Sequence, residues 1–449
     1  MVRQPRLHAL LLGCVTTVVV GTTVRAQTLP PPSTARTDWT LDAVLTAALA
    51  QNPLVAAARA HVAAAEGSRQ TAGTVPNPIA TYWMENTRFP GQGPIPLEPE
   101  ISFYGTLPLE PFLQRSSRTA RASGELRAAQ AGVTTAERDV ALQAAQAFYR
   151  VALAQASLDA VRENRAAVQR LVDYLRTRVA QGASAEGEMI RAEVERDRAE
   201  TEVTLADVEL LRAQAALRSW LGVVDGAPLA TLRVMAPAAA QLGSPLAPFP
   251  DLVTHALAER PELVASRGKV EATTGAIDVE RSLVIRQLGA TFGLKRTGST
   301  NAMVAGVSIT LPVFDQNHGE IQRATGEHLA AKQEVQWLER AISAEVEAAY
   351  QAAARLVTQV AALQPAFLRR AEESQQIAVG AYQEGAATLL QVLDASRALT
   401  DARLIYARAL VAANESLYEL GVAAGYDAMT AARLGHSTPA NIVREGGSR

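Results

Sequence analysis

The chain has 449 residues, of which 48% are hydrophobic, 20% are charged and only 5% are aromatic. Its 43 lysines and arginines nearly balance 45 acidic residues, and the formal net charge is −2. No global positive field therefore favours nucleic acid or an anionic surface as a partner. Few aromatic residues with abundant Ala, Leu, Glu, Gln and Arg are typical of long exposed or coiled helices. Composition thus disfavours an ordinary α/β enzyme.

Residues 1–26 are predicted to be a secretory signal. Two arginines precede an apolar stretch that ends near Val20, and Ala26 closes a site suited to signal peptidase. The apolar part is shorter than the roughly 20 residues that a membrane-spanning helix needs. Cys14 is the only cysteine, so we expect the mature chain to contain no disulfide or thiolate metal site. The residues before Cys14 also resemble a lipoprotein cleavage box, which leaves lipidation as an alternative.

The two halves of the chain are predicted to be copies of one unit of roughly 200 residues. Tyr149 matches Tyr350, and Leu221-Gly222 matches Leu420-Gly421. The offset between matches drifts only slightly along the overlay, as short loop insertions would produce. The predicted parts are a first repeat at 27–226, a proline-rich connector at 227–250, a second repeat at 251–424 and a flexible tail at 425–449.

Each repeat is predicted to contain very long helices. No proline lies between Pro111 and Pro228, and a helix over about 113–180, the first arm of a hairpin ending near 221, would measure roughly 100 Å. Apolar residues recur every seven positions, which indicates a coiled-coil seam. The second repeat shows the same seam over helices at about 317–421, with a break expected at Pro365. The seam positions are Leu126, Val133, Val140, Ala147, Ala154, Val161, Val168 and Leu175, and then Val335, Ile342, Ala349, Leu356 and Leu363.

Four short segments alternate apolar and polar residues with a period of two, which predicts β-strands. They lie at about 79–86, 101–107, 287–295 and 302–311, as one hairpin in each repeat. The second hairpin is expected to have a turn over 297–301. Such strands are typical of membrane β-barrels, although soluble sandwich strands alternate in the same way.

Four strands cannot close a membrane barrel, because these barrels start at about eight strands and open edges are not tolerated in lipid. Three copies would supply about twelve strands, an even number. The predicted fold is therefore mainly α with a small β part. It is a long α-helical coiled-coil barrel joined to a 12-stranded outer-membrane β-barrel that three chains share.

Several short motifs occur together along the chain. They are Leu41-Asp42-Ala43-Val44 through Asn52-Pro53, Pro76-Asn77-Pro78, Leu107-Pro108, Leu311-Pro312, Gln181-Gly182-Ala183 and Glu384-Gly385-Ala386. By these motifs and their spacing, the sequence resembles the TolC-like outer-membrane efflux proteins over about residues 39–424. The resemblance implies a homotrimeric channel-tunnel in the outer membrane, gated at its periplasmic end, with a periplasmic adaptor and an inner-membrane pump of the RND type as partners.

The segment from Pro312 to Ile321 resembles the strand-to-helix junction of the CzcC-like heavy-metal efflux branch, from which His318 departs. We interpret the junction as structural: Pro312 ends a strand, Asp315 or Asn317 caps the next helix, and Gly319 relieves the turn. The alternative is a direct role in substrate passage, which would also involve Phe314. The resemblance favours cation export without establishing it.

The two glycine-containing turns are predicted to form the periplasmic tips of the helical hairpins. In the family these tips meet the adaptor, so the resemblance implies that their residues form the docking surface. The alternative is that glycine only supplies the positive φ of each turn. The predicted docking residues are Ala180, Gln181, Gly182 and Ala183, together with Glu384, Gly385 and Ala386.

Just past the second turn, the segment around Asp394 is similar to the family segment whose acidic residues ring the closed entrance. Asp394 matches one acidic position, Gln391 departs from the other, and Glu188 is the counterpart of Gln391 in the first repeat. A threefold ring of carboxylates would attract cations. The alternative is that Asp394 is an ordinary surface carboxylate paired with Arg397.

The six histidines are not spaced as metal ligands, and surface positions are expected for them. No hydrolase elbow, zinc-binding helix or phosphate-binding loop occurs. We therefore expect no enzyme and no cofactor, but a passive trimeric conduit from periplasm to exterior, for heavy-metal cations. Drug efflux and type I protein secretion stay open as cargo alternatives. A periplasmic structural coiled-coil protein is the alternative from another class.

Overall fold

The computed structural model describes residues 39–87, 98–222, 232–235, 242, 246–363 and 366–433. The predicted signal, most of the connector and residues 434–449 lie outside this set. The described elements are α1 (Leu41–Gln51), α2 (Pro53–Gly73), β1 (Ile79–Glu85), β2 (Glu100–Pro108), α3 (Glu110–Ala180), α4 (Glu186–Leu221), α5 (Phe249–Glu259), α6 (Pro261–Ser282), β3 (Leu288–Thr297), β4 (Thr300–Ile309), α7 (His318–Leu363), α8 (Phe367–Gln383), α9 (Leu389–Ala423) and α10 (Ala428–Arg433). The order α1-α2-β1-β2-α3-α4 recurs as α5-α6-β3-β4-α7/α8-α9, in agreement with the predicted internal repeat.

The four strands form one antiparallel sheet in the order β1-β2-β3-β4. The two predicted hairpins are therefore joined, because β2 also pairs with β3, with Phe103 opposite Leu294. The β3-β4 turn is shorter than expected, since the strands extend to Thr297 and Thr300 and Gly298 takes a φ of 57°. That positive φ is inexpensive only for glycine.

One face of the sheet is apolar and exposed. Partners that lie opposite each other share a face, so Leu294 lies beside both Phe103 and Met303, and Phe292 lies on the same face two residues away. Phe292, Leu294 and Met303 are 66%, 64% and 81% exposed. The opposite face is more polar, as the pairs Lys295 with Glu100 and Thr106 with Thr291 show. The predicted alternation of the strands is confirmed.

The 71 residues of α3 make a helix about 107 Å long. It begins at Glu110, a few residues earlier than predicted, because Pro111 occupies the first turn, where the missing amide hydrogen costs no helical hydrogen bond. Most of the predicted seam positions are buried, including Val140, Val168 and Leu175. In the second repeat α7 ends at Leu363 and α8 begins at Phe367, on either side of the break expected at Pro365, which itself lies outside the described residues.

The helices α3 and α6 approach each other closely. A methyl group built on Gly124 of α3 would lie 2.7 Å from the Cα of Ala272 on α6. A methyl group on Gly275 of α6 would lie 2.8 Å from the Cα of Arg121 on α3. Cβ atoms do not approach backbone atoms this closely, so the two glycines permit the contact.

The segment after α9 is more ordered than the predicted flexible tail. Tyr426 stacks on His255 with ring centroids 4.3 Å apart, and Asp427 accepts hydrogen bonds from the amides of Met429 and Thr430, which caps α10. Two alanines of α10 are buried against α1, α3 and α9. The prediction of a tail from 425 is therefore wrong up to residue 433, because an N-cap and small apolar side chains suffice to hold one short helix.

No single helix in the described ranges has the length and apolar composition needed to cross a membrane. The bent pair formed by α1 and α2 meets both criteria when the two helices are taken together.

Candidate functional site

The turn between α3 and α4 is a Schellman motif. Gly182 has a φ of 71°, its amide donates to Val179 O at 2.9 Å, and the amide of Ala183 donates to Arg178 O at 2.8 Å. The Arg178 guanidinium also donates to Ala183 O at 3.1 Å. The predicted tip residues Ala180, Gln181, Gly182 and Ala183 are all exposed.

The turn between α8 and α9 repeats this geometry. Gly385 has a φ of 80°, its amide donates to Tyr382 O at 3.1 Å, and the amide of Ala386 donates to Ala381 O at 2.7 Å. Glu384, Gly385 and Ala386 are exposed. Both glycines thus have the conformational role that was considered as the alternative, and both turns also present their residues to solvent.

The two tips lie side by side at one end of the bundle. Val172 and Leu175 of α3, Ala192 of α4, and Leu389 and Leu393 of α9 form one buried apolar cluster. The helices that lead into both turns are therefore packed together, and the seven predicted tip residues lie at the same end of the molecule.

Tyr382, at the end of α8, contacts the first hairpin. Its hydroxyl donates to Glu188 Oε2 at 3.4 Å, and its ring lies 6.3 Å from that of Tyr174 in an edge-to-face arrangement. Burial, together with the Glu188 carboxylate, raises the pKa of Tyr382 to about 12, so the hydroxyl keeps its proton at neutral pH. Sequence reasoning missed Tyr382, because its partner is 194 residues away in the chain.

The predicted entrance residues occupy three different environments. Glu188 is half-buried and accepts from Tyr382. Gln391 forms a capping box with Thr388, in which the Thr388 amide donates to Gln391 Oε1 at 2.8 Å. Asp394 is 62% exposed, with Arg397 Nη1 at 3.7 Å. The carboxylate of Asp394 is therefore accessible even though it has the ion-pair partner considered for it.

Arg397 connects α9 to α4 more strongly than to Asp394. Its Nε and Nη2 donate to the two oxygens of Glu195 at 2.8 and 2.5 Å. Glu195 is 9% exposed, and the hydrogen bond from Arg397 lowers the pKa of its carboxyl against the opposing effect of burial. Arg403, further along α9, pairs with Glu163 of α3 and with Glu372 of α8. Arg397 was considered only as a partner of Asp394 and Arg403 was not considered, because the pairs that these arginines form with α3, α4 and α8 join residues that are distant in sequence.

The strand-to-helix junction connects β4 to α7 and is hydrogen-bonded to α6. Asn317 is 4% exposed with a φ of 62°, and its Nδ2 donates to Glu280 O and Glu280 Oε2 at 2.8 and 3.0 Å. Asp315 accepts from the Asn317 amide at 2.9 Å and from Arg286 at 2.7 Å. The positive φ is at Asn317, so the prediction that Gly319 relieves the turn is wrong.

The predicted side-chain cap at this junction also differs from the structure. The side-chain amide of Asn317 donates to Glu280 of α6. The backbone amide of Asn317 donates to Asp315 Oδ1. These atoms therefore hold the loop rather than the first turn of α7. Gly319 lies inside α7, and a methyl group there would meet no atom within 4 Å among the described residues. Pro312 is half-buried after the end of β4, and Phe314 is 100% exposed.

Two histidines are less exposed than predicted. His255 is half-buried with Nδ1 2.7 Å from Ala424 O, which places the ring hydrogen on Nδ1 since a carbonyl only accepts. His328 is half-buried with Nδ1 3.1 Å from Thr273 Oγ1. Within the described ranges, no group of three or more His, Cys, Asp or Glu side chains is arranged to hold a metal ion.

Both repeats match a known protein family. Residues 102–223 and 252–426 match the family described as "Outer membrane efflux protein". The chain is 28% identical over 380 residues to the cobalt-zinc-cadmium resistance protein CzcC of Cupriavidus metallidurans, an alignment that covers 84% of this chain and 87% of that protein.

Two solved structures share the fold. CusC, studied for the conformational changes that accompany folding and transmembrane channel formation, superposes with a TM-score of 0.73 at 19% identity, over 87% of this chain and 92% of its own. The Campylobacter jejuni CmeC outer membrane channel superposes with a TM-score of 0.73 at 16% identity, over 89% and 90% of the two chains. At these identities the likeness establishes the arrangement of helices and strands.

Proposed function

Because this chain belongs to the outer membrane efflux protein family, we propose that it is the exit conduit of a tripartite efflux system for heavy-metal cations. In this proposal three copies form one passive channel from the periplasm to the exterior. An inner-membrane pump of the RND type supplies the energy, and a periplasmic adaptor joins pump and channel. The chain itself contributes geometry and charge, and performs no chemistry.

The observation that carries the channel proposal is the exposed apolar sheet. The strands β1 and β4 are its edge strands, and its apolar face includes Met303 and Val307, which are 81% and 73% exposed. Lipid would cover that face, but it cannot satisfy the backbone groups of edge strands. Three copies joined edge to edge would close about twelve strands and satisfy these groups.

The cargo proposal rests on the similarity to CzcC, which is named for resistance to cobalt, zinc and cadmium. The exposed Asp394 supports it, because three copies would bring three such carboxylates to one end of the channel and attract cations. Gln391, bound in its capping box, adds no charge to that ring. Drug efflux and type I protein secretion are the second candidates for cargo.

The tips are the proposed docking surface for the adaptor. Their seven predicted residues are exposed, and the Schellman hydrogen bonds hold them in a defined conformation. A surface formed before binding loses little conformational entropy when a partner docks. A periplasmic structural coiled-coil protein, the alternative from another class, is disfavoured because the chain belongs to a family of efflux proteins.

Growth of a deletion strain tests the cargo. The strain and its complemented control are grown across graded cobalt, zinc, cadmium, copper and silver, and beside dyes, detergents and hydrophobic antibiotics. Sensitivity to metals alone supports the cation proposal. Sensitivity to organic compounds alone would overturn it and leave a conduit for another cargo.

A further inference from the structure

Two helix surfaces that contact each other within the chain each have a counterpart of similar sequence on another helix. Residues 121–125 of α3 read Arg-Ala-Ser-Gly-Glu, and residues 323–327 of α7 read Arg-Ala-Thr-Gly-Glu. Residues 267–275 of α6 and 59–67 of α2 share Arg, Val, Ala and Gly at identical spacing. The internal repeat thus places one contact surface on α3 and α7, and its partner surface on α6 and α2.

The first pair of surfaces is in contact, with Gly124 of α3 and Gly275 of α6 at the closest approach. Their counterparts are Gly326 of α7 and Gly67 of α2. In the part of the chain that the structure describes, a methyl group on either counterpart would meet no heavy atom within 4 Å beyond its own helical backbone. A glycine inside a helix costs about 1 kcal/mol relative to alanine, and the single chain shows no contact that offsets this cost.

We propose that α2 of one copy packs on α7 of the next copy, with Gly67 and Gly326 at the closest approach. This contact repeats the one between α3 and α6, and the inference rests on the proposed trimer. In a ring with two repeats per copy, the long helix of each repeat packs against the short helix of the following repeat. Within one chain α6 packs on α3. The repeat that follows α7 belongs to a second copy, so α2 of that copy must pack on α7.

The side chains beside the glycines fit a second copy of this chain. On α3 and α6, Arg127 and Glu271 form an ion pair. The equivalent positions on α7 and α2 hold Leu329, which is 58% exposed, and Ala63, which is also exposed. An ion pair is thus replaced by two apolar residues, and both sides of the contact change together.

One position differs between the two contacts. Ala60 of α2 is the counterpart of Gly268 of α6, where an added methyl group would lie 2.9 Å from the Ala128 amide nitrogen. The helices of neighbouring copies must therefore stand further apart at Ala60 than α3 and α6 stand at Gly268. The two remaining glycines keep the approach close on either side of it.

Paired cysteines test the contact in the full-length protein purified in detergent. Ala63→Cys combined with Leu329→Cys, treated with a short bis-maleimide, should give covalent dimers and trimers on a denaturing gel. Arg127→Cys combined with Glu271→Cys occupies the equivalent positions within one chain, so its cross-link should leave the band at monomer size. Each single-cysteine variant controls for other thiol reactions.

The outcomes separate this inference from the proposed trimer. If light scattering shows trimers and the control pair cross-links, but the cysteines introduced at positions 63 and 329 do not, the inference alone is overturned. A wild-type protein that is monomeric in detergent would overturn the proposed trimer and the inference with it.

Substitution of the glycines gives a second, independent measurement. Gly326→Leu should reduce the fraction of trimer by about tenfold or more, because a bulky side chain cannot enter a contact between backbones. Gly132→Leu on α3 is the matched control, since Gly132 is also in open space and its counterpart is Glu334. Equal trimer fractions in the two variants would overturn the inference.

Discussion

Replacing Gly124 by alanine should destabilise the protein, although alanine is the better helix former. The new methyl group would lie 2.7 Å from the Cα of Ala272 and 2.9 Å from the carbonyl oxygen of Gly268. These are backbone atoms, which cannot rotate away as the end of a flexible side chain can. The helices α3 and α6 would therefore have to separate along part of their contact.

The matched control isolates the cost of this clash. Gly132 lies eight positions further along α3, and a methyl group there would meet no described atom within 4 Å outside its own helix. Both alanine substitutions gain about 1 kcal/mol of helix propensity, so that gain cancels in the comparison. The remaining difference is the cost of overpacking, about 1–3 kcal/mol. It corresponds to roughly a fivefold to hundredfold difference in the unfolding equilibrium constant.

Denaturant titration of both variants, followed by the circular dichroism of the helices, measures this difference. We expect Gly132→Ala to unfold at a slightly higher denaturant concentration than wild type, and Gly124→Ala at a lower one. A Gly124→Ala protein as stable as Gly132→Ala would refute the close helix contact from which the interface between copies is inferred.

Three further predictions concern the tips, the entrance and the ion pair between Glu195 and Arg397. Gly182→Val or Gly385→Val should impair efflux while trimers persist, because valine resists the positive φ of each turn; normal efflux would remove that tip from the docking surface. Asp394→Asn should lower the cation preference of the reconstituted pore, and an unchanged reversal potential would argue against the acidic ring. Arg397 lowers the pKa of Glu195, so this carboxylate stabilises the fold above its unfolded pKa, and the stabilisation is lost as the pH falls through its folded pKa. In the Glu195→Gln variant, the free energy of unfolding measured by denaturant titration should therefore fall less between neutral and acid pH than in wild type.

Much of the fold follows from local patterns in the sequence. The seven-residue seam of α3, the strand alternation and the break near Pro365 agree with the structure, because each depends on the geometry of a few consecutive residues. The family resemblance is confirmed over both repeats. The roles of the tip and entrance residues stay predictions, since they depend on partner copies and partner proteins.

Where the predictions failed, a contact distant in sequence decided the outcome. Asn317, and not Gly319, takes the positive φ, because its side chain is held by Glu280 of α6. The segment around Tyr426 is ordered because His255 of α5 stacks on its ring. Neither partner is marked by a local pattern.

The sequence by itself determined the periodic elements, their duplication and the positions of the turns, since these depend on covalent geometry and short-range side-chain spacing. Only the tertiary structure decided that Glu195 pairs with Arg397, 202 residues away. It also decided that a methyl group on Gly124 would meet the backbone of α6, whereas one on its counterpart Gly326 would meet no described atom within 4 Å outside its own helix. The physical reason is that ion pairs and close helix contacts depend on distance in space, which the spacing of residues along the chain does not specify.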